Sequence, residues 1–262
     1  MCRVLALVLI ASGTLAAEGL TYRFRTTVQG VMPRERSGTV WIDGARARIE
    51  VVSEAGRTAT LRDPSARDRC TNLDLEQKTY YAAPCETAHS VGALTPGFGM
   101  AIGAGASSPG ATPKRDRLRV EEHDLGAGGE IAGFPTRHIL VAISWRESVR
   151  IGPDNVRVEI TRTLDVWATD RVVQAAFQFG HADELLVVPE DVRARLADRL
   201  AIAGFPLRFV VASKRKFDRG EPTTETLTTE LEDVRTATPN PSLFEVPKDF
   251  RHEEPRIGIP SR

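Results

Sequence analysis

Apolar and polar positions alternate over much of this chain. Ala45, Ala47, Ile49 and Val51 are separated by Arg46, Arg48 and Glu50, the period of two that marks a strand with one dry face and one wet face. Residues 39–42 precede this run across Asp43-Gly44, so the two runs predict a hairpin over a primed turn. Residues 22–28 predict a strand leading into that hairpin. Three further short strands are predicted at 58–61, 71–75 and 78–82, the last two joined across Glu76-Gln77.

The alternation returns in the second half. Ile139, Val141, Ile143 and Trp145 share one side of a predicted strand. Val156, Val158, Ile160, Leu164 and Val166 share one side of a longer strand, whose other side holds Arg157, Glu159, Thr161, Thr163 and Asp165. Phe205, Leu207, Phe209 and Val211 repeat the pattern, and residues 223–234 form a Thr-rich run suited to a half-exposed pleated surface. One-faced strands joined by short turns predict a large antiparallel sheet rather than parallel βαβ units.

Helical spacing is rare. In residues 190–203, Val192, Leu196, Leu200 and Ala203 fall on one face, with Gly204 placed to end the helix. Residues 171–179 predict a second, shorter helix carrying Val172, Val173, Ala176 and Phe177. Together they predict one amphipathic helical layer against the sheet. Residues 89–113 hold six Gly and three Pro, and so little side-chain surface that they read as a loop. The apolar Leu94, Phe98 and Met100 within it leave two readings: a lid or short helix over an opening, or a disordered insertion.

Residues 1–16 change the picture of where the protein works. Arg3 opens an apolar run too short to span a bilayer, and Thr14-Leu15-Ala16 supplies small residues before a cleavage point, so this segment reads as a secretory signal. The expected domain is 17–250, with 251–262 a frayed tail. No other stretch is apolar enough to span, so a soluble, exported, periplasmic protein is expected. Cys2 leaves with the signal. Cys70 and Cys85 then form an isolated pair, expected to be disulfide-bonded in an oxidising compartment, the alternative being two buried or free thiols.

Composition excludes more than it assigns. The 262 residues carry 35 Lys+Arg against 35 Asp+Glu and 41% hydrophobic residues. An even charge balance speaks against a nucleic-acid partner, and the apolar share speaks against general disorder. Arg outnumbers Lys by 30 to 5, and the Arg residues fall mostly on polar strand faces. The five His are scattered, with no HExxH pair. No G-x-S-x-G elbow and no phosphate-binding GxxxxGK[ST] loop is present. Gly126-Ala127-Gly128-Gly129 reads as a turn. No catalytic residue, metal site or cofactor is expected.

Several local patterns, in order, resemble the outer-membrane lipoprotein carrier (LolA/LolB-like) superfamily and its secreted relatives. They begin with Val40-Trp41-Ile42-Asp43-Gly44, Leu73-Asp74-Leu75 and Ile131-Ala132-Gly133-Phe134-Pro135. Asp165-Val166-Trp167, Gly204-Phe205-Pro206 and the closing Pro241-Ser242-Leu243-Phe244-Glu245-Val246-Pro247 follow. The resemblance implies an α+β, mainly antiparallel fold: a curved, open β half-barrel with a few helices packed in its concave face. It further implies an apolar cavity between sheet and helices that takes an acyl chain. The candidate lining is Ile49, Ile139, Val141, Ile143, Val158, Ile160, Phe205, Leu207 and Phe209.

The function expected on this reading is a non-enzymatic, exported binder or carrier of a hydrophobic ligand, a lipid or lipoprotein acyl chain. The alternative is a cell-envelope interaction or assembly factor with a filled core and a protein partner.

Overall fold

Among the described residues, hydrogen-bonded strands account for nearly all of the regular structure. The computed structural model describes residues 19–30, 33–66, 69–85, 114–151, 154–172, 204–218 and 220–254. The first six strands are β1 (Leu20–Gln29), β2 (Arg34–Asp43), β3 (Arg46–Ser53), β4 (Gly56–Arg62), β5 (Arg69–Asp74) and β6 (Thr79–Pro84). The remainder are β7 (Lys114–Ile131), β8 (Phe134–Ile151), β9 (Asp154–Thr169), β10 (Phe205–Phe217), β11 (Thr223–Thr236) and the two-residue β12 (Arg251–His252). They form one sheet in the order β12-β6-β5-β4-β3-β2-β1-β11-β10-β9-β8-β7.

Two antiparallel meanders, β1 to β6 and β7 to β11, are thus joined by a single seam where β1 pairs with β11. The only parallel pairing among the described residues is β12 on β6. The predicted hairpin is present, with Asp43 opposite Arg46. A second two-residue hairpin at Ala132-Gly133 turns β7 into β8, both residues having positive φ (50° and 83°). This is the geometry that matches strand twist, and glycine adopts it without steric cost.

The structure corrects the expected fold class. The described residues contain no α-helical element, only 3-10 turns at Pro64–Ala66 and Pro241–Phe244, and so supply no helix packed in a concave face. The predicted helix at 190–203 lies outside the described residues, and so does 173–179 of the shorter one. Strand length is the physical reason that the sheet dominates. Strands β7, β8 and β9 run 18, 18 and 16 residues, and each backbone group pairs sideways into the ladder. The segment read as a turn, Gly126 to Gly129, lies inside β7, where register shifts accommodate it as bulges.

Cross-strand register assigns every strand residue to one of two faces. On the first face, Leu20, Tyr22, Phe24 and Val28 of β1 align with Val40 and Ile42 of β2 and with Leu227 and Leu231 of β11. Further along come Phe209 and Val211 of β10, Leu164 and Val166 of β9, and Ile139 and Val141 of β8. We call this the apolar face. On β4 and β5 the burial moves to the opposite face. Ala59, Leu61 and Leu73 cluster there under Val246 and Phe250 of the C-terminal segment. Arg48 donates from Nη1 to the Leu243 carbonyl at 2.9 Å, while its Nε donates to Glu50 at 2.8 Å. Arg251 and His252, expected to be frayed, pair with Thr79 and Tyr80.

Candidate functional site

The expected cavity residues all lie on the apolar face. Val141, Ile143, Val158, Ile160 and Phe209 belong to one cluster, with Ile139 packed against it. Phe205 and Leu207 belong to the adjoining cluster, with Ile49 packed against that. Most are closely packed: Val141 and Ile143 are 1% exposed and Leu207 is 0%. The expected lid residues Leu94, Phe98 and Met100 lie outside the described residues. Cys70 and Cys85 form a disulfide with their Cα atoms 4.8 Å apart, tying β5 to the end of β6.

Charged residues that the sequence reading did not single out interrupt this apolar face along one edge. Every strand from β8 to β11 keeps its period of two and then substitutes a polar group at an inward position. In β8 the series Val141, Ile143, Trp145 continues with Glu147. In β9 Arg162 stands between Ile160 and Leu164. In β10 Phe209 and Val211 are followed by Ser213 and Arg215, and in β11 Glu225 precedes Leu227. That break in parity is the sequence signal that could have located the site.

Register brings these residues together. Arg162 lies opposite Ser213 on one side and Ile143 on the other, and Ser213 lies opposite Glu225. Arg215 is opposite Ile160, which is opposite Trp145. The Trp145 indole N–H donates to Glu147 Oε1 at 2.8 Å, and the Arg162 guanidinium sits 5.7 Å from the Trp145 ring centroid. Arg162 is 2% exposed and Glu147 6%. Burial, reinforced by the like charge of Arg215, pulls the Arg162 guanidinium down to about 10, against the opposing influence of Glu225 and Glu147. Burial lowers Arg215 as well. Both remain cations at neutral pH, so the cluster offers fixed donors rather than a proton carrier.

A second cluster occupies the opposite face. His138 of β8 stacks on Trp167 of β9 with ring centroids 4.1 Å apart, and Arg208 of β10 lies 5.0 Å from the same indole. His138 Nε2 is 2.9 Å from Asp165 Oδ1. Gly128 of β7 makes this packing possible, because a Cβ there would stand 2.6 Å from Trp167 and 2.7 Å from the Thr136 hydroxyl. The indole is flanked from both neighbouring strands, which leaves it no free face for stacking a ligand. Among the described residues, no group of three or more His, Cys, Asp or Glu is arranged to hold a metal ion. None of their helices is long and apolar enough to cross a membrane.

Comparison with known proteins adds nothing to this geometry. The chain matches no protein-family description and no curated protein. Its function is therefore argued from its own residues, the apolar face and the charged margin above all.

Proposed function

We propose that the chain is an exported, non-enzymatic binder of a hydrophobic ligand, which lies along the apolar face of the sheet. The observation that carries this reading is the breadth of that face: apolar side chains continue in register across β1, β2 and β8 to β11. Burial of a ligand chain there gains roughly 25 cal/mol per Å2 of apolar area. Export is supported by the leader-like residues 1–16 and by the Cys70–Cys85 disulfide. No covalent step is required of any residue.

The test is lipid extraction and mass spectrometry of the protein purified from its native compartment, with uptake of a fluorescent fatty acid measured in parallel. The expected result is a co-purifying lipid and saturable uptake. An empty extract together with no uptake would overturn the proposal. One observation favours a second reading, an envelope interaction factor with a filled core: Val141, Ile143 and Leu207 are almost completely buried. Stable co-purification of one envelope protein with an empty lipid extract is its signature.

A further inference from the structure

We infer that the free side of β6 and the apolar patch beside it form a docking surface for an extended peptide, on which the chain's own C-terminal strap, residues 241–254, acts as an internal competitor. This surface lies across the sheet from the apolar face, so the inference stands whether or not a lipid binds there. What the strap does shows the chemistry of the surface. Arg251 and Glu253 donate their amides to the Lys78 and Tyr80 carbonyls at 2.9 and 2.8 Å, a strand added in parallel to β6. Val246 and Phe250 pack on Ala59, Leu61 and Leu73, and the Lys78 ammonium holds Asp249 at 2.8 Å. The partner is therefore an extended segment carrying an aliphatic residue, an aromatic one four places on, and a carboxylate just before the aromatic. Backbone addition to the edge supplies affinity, and the side-chain contacts supply selectivity.

The strap is weakly fastened. None of residues 241–254 is buried, although Ala59, Leu61 and Leu73 beneath it are 1%, 5% and 1% exposed. Its ion pair is open to water on both sides and so adds little. Its ladder is two residues long and cannot lengthen. Donors alternate at Arg251 and Glu253, and the next in that series falls at Pro255, which has no amide hydrogen. The Ala82 carbonyl takes the Arg69 guanidinium at 3.3 Å instead. Segments with so few buried contacts open locally, well below the free energy of global unfolding. A partner with an ordinary amide at that position gains the rung that the strap forgoes, which gives a foreign segment the advantage over the internal one.

The experiment titrates the full chain into a fluorescently labelled peptide of residues 241–258 and follows its anisotropy. Saturable binding is expected, competed by unlabelled peptide and lost when the peptide carries Val246→Ser and Phe250→Ser. Pro255→Val in the peptide should tighten it. Phe250→Ala in the chain loosens the internal competitor, so the apparent Kd of the labelled peptide should fall at least about tenfold. No binding to the wild type or to a folded Phe250→Ala chain overturns the docking surface, and so does equal binding of the doubly substituted peptide. Dimers of the full chain that the peptide dissociates identify a second copy's strap as the occupant and overturn the foreign partner. Hydrogen exchange of the unaltered chain needs no variant: the Arg251 and Glu253 amides should exchange at least about a hundredfold faster than those of the β1–β11 seam. Equal protection of the two sets overturns the opening strap.

Discussion

Arg162 occupies a position that its own strand assigns to an apolar side chain. A buried guanidinium loses hydration, and its neighbours return part of that loss. Arg162→Met therefore removes a countercharge from Glu147 and is expected to lower stability by about 3 kcal/mol in denaturant unfolding. The paired change Arg162→Met with Glu147→Gln should recover most of the loss, because it removes both charges together. The exposed pair Asp124–Arg137 behaves differently. Hydrogen bonding from Arg137, then from the Gly126 amide, holds the Asp124 carboxyl down to about 2. A depressed folded-state pKa stabilises above the unfolded value and is lost as pH falls through the folded one. Asp124→Asn should therefore lower Tm slightly at neutral pH, with the difference from the wild type vanishing as pH falls from about 4 to about 2.

At the scale of elements, two devices hold strands that have little apolar surface of their own. The Cys70–Cys85 disulfide closes a loop spanning 15 residues, and Cys85→Ser should lose about 3 kcal/mol on the chain-entropy account, read from the denaturant midpoint. The glycine under Trp167 is the other. Gly128→Ala places a methyl against the indole and the Thr136 hydroxyl, and about 1–3 kcal/mol of destabilisation is expected. A changed Trp167 fluorescence should accompany it, since the His138 stack must shift. Much of this level was legible in advance. The parity of Ile139 to Trp145 and of Val156 to Val166 located β8 and β9, and Asp43-Gly44 located the first hairpin.

What was illegible has physical causes. Strand β7 lies at the sheet edge with most residues from Asp116 to Glu130 exposed, so nothing imposes an apolar period on it, and its glycines imitate a turn. Burial on β4 changes face because Val246 and Phe250, nearly two hundred residues downstream, cover it. No local pattern carries that information. The charged margin was hidden for the opposite reason: each Arg or Glu there reads singly as a gap in an apolar series, and only register shows that the gaps coincide.

For the molecule as a whole, β7 leaves one long ladder of backbone groups without a neighbouring strand among the described residues. Its charges and bulges are the usual protection against edge-to-edge association. Replacing Arg119 and Glu121 together by Thr should therefore promote oligomers detectable by light scattering, with unfolding little changed. Unaltered monodispersity at high concentration would show that the bulges alone suffice.

The seam between β1 and β11 carries a consequence for biogenesis. Thr26 and Thr229 share a buried 2.9 Å hydrogen bond across 203 positions of chain, so β1 waits for a partner strand synthesised some two hundred residues later. Until then each meander has a raw, unmated border, on which Leu20, Phe24 and Val28 of β1 and Leu227 and Leu231 of β11 stand open. Slow maturation is the natural outcome of so distant a pairing, and nascent chains in that interval are the ones a chaperone would need to shield.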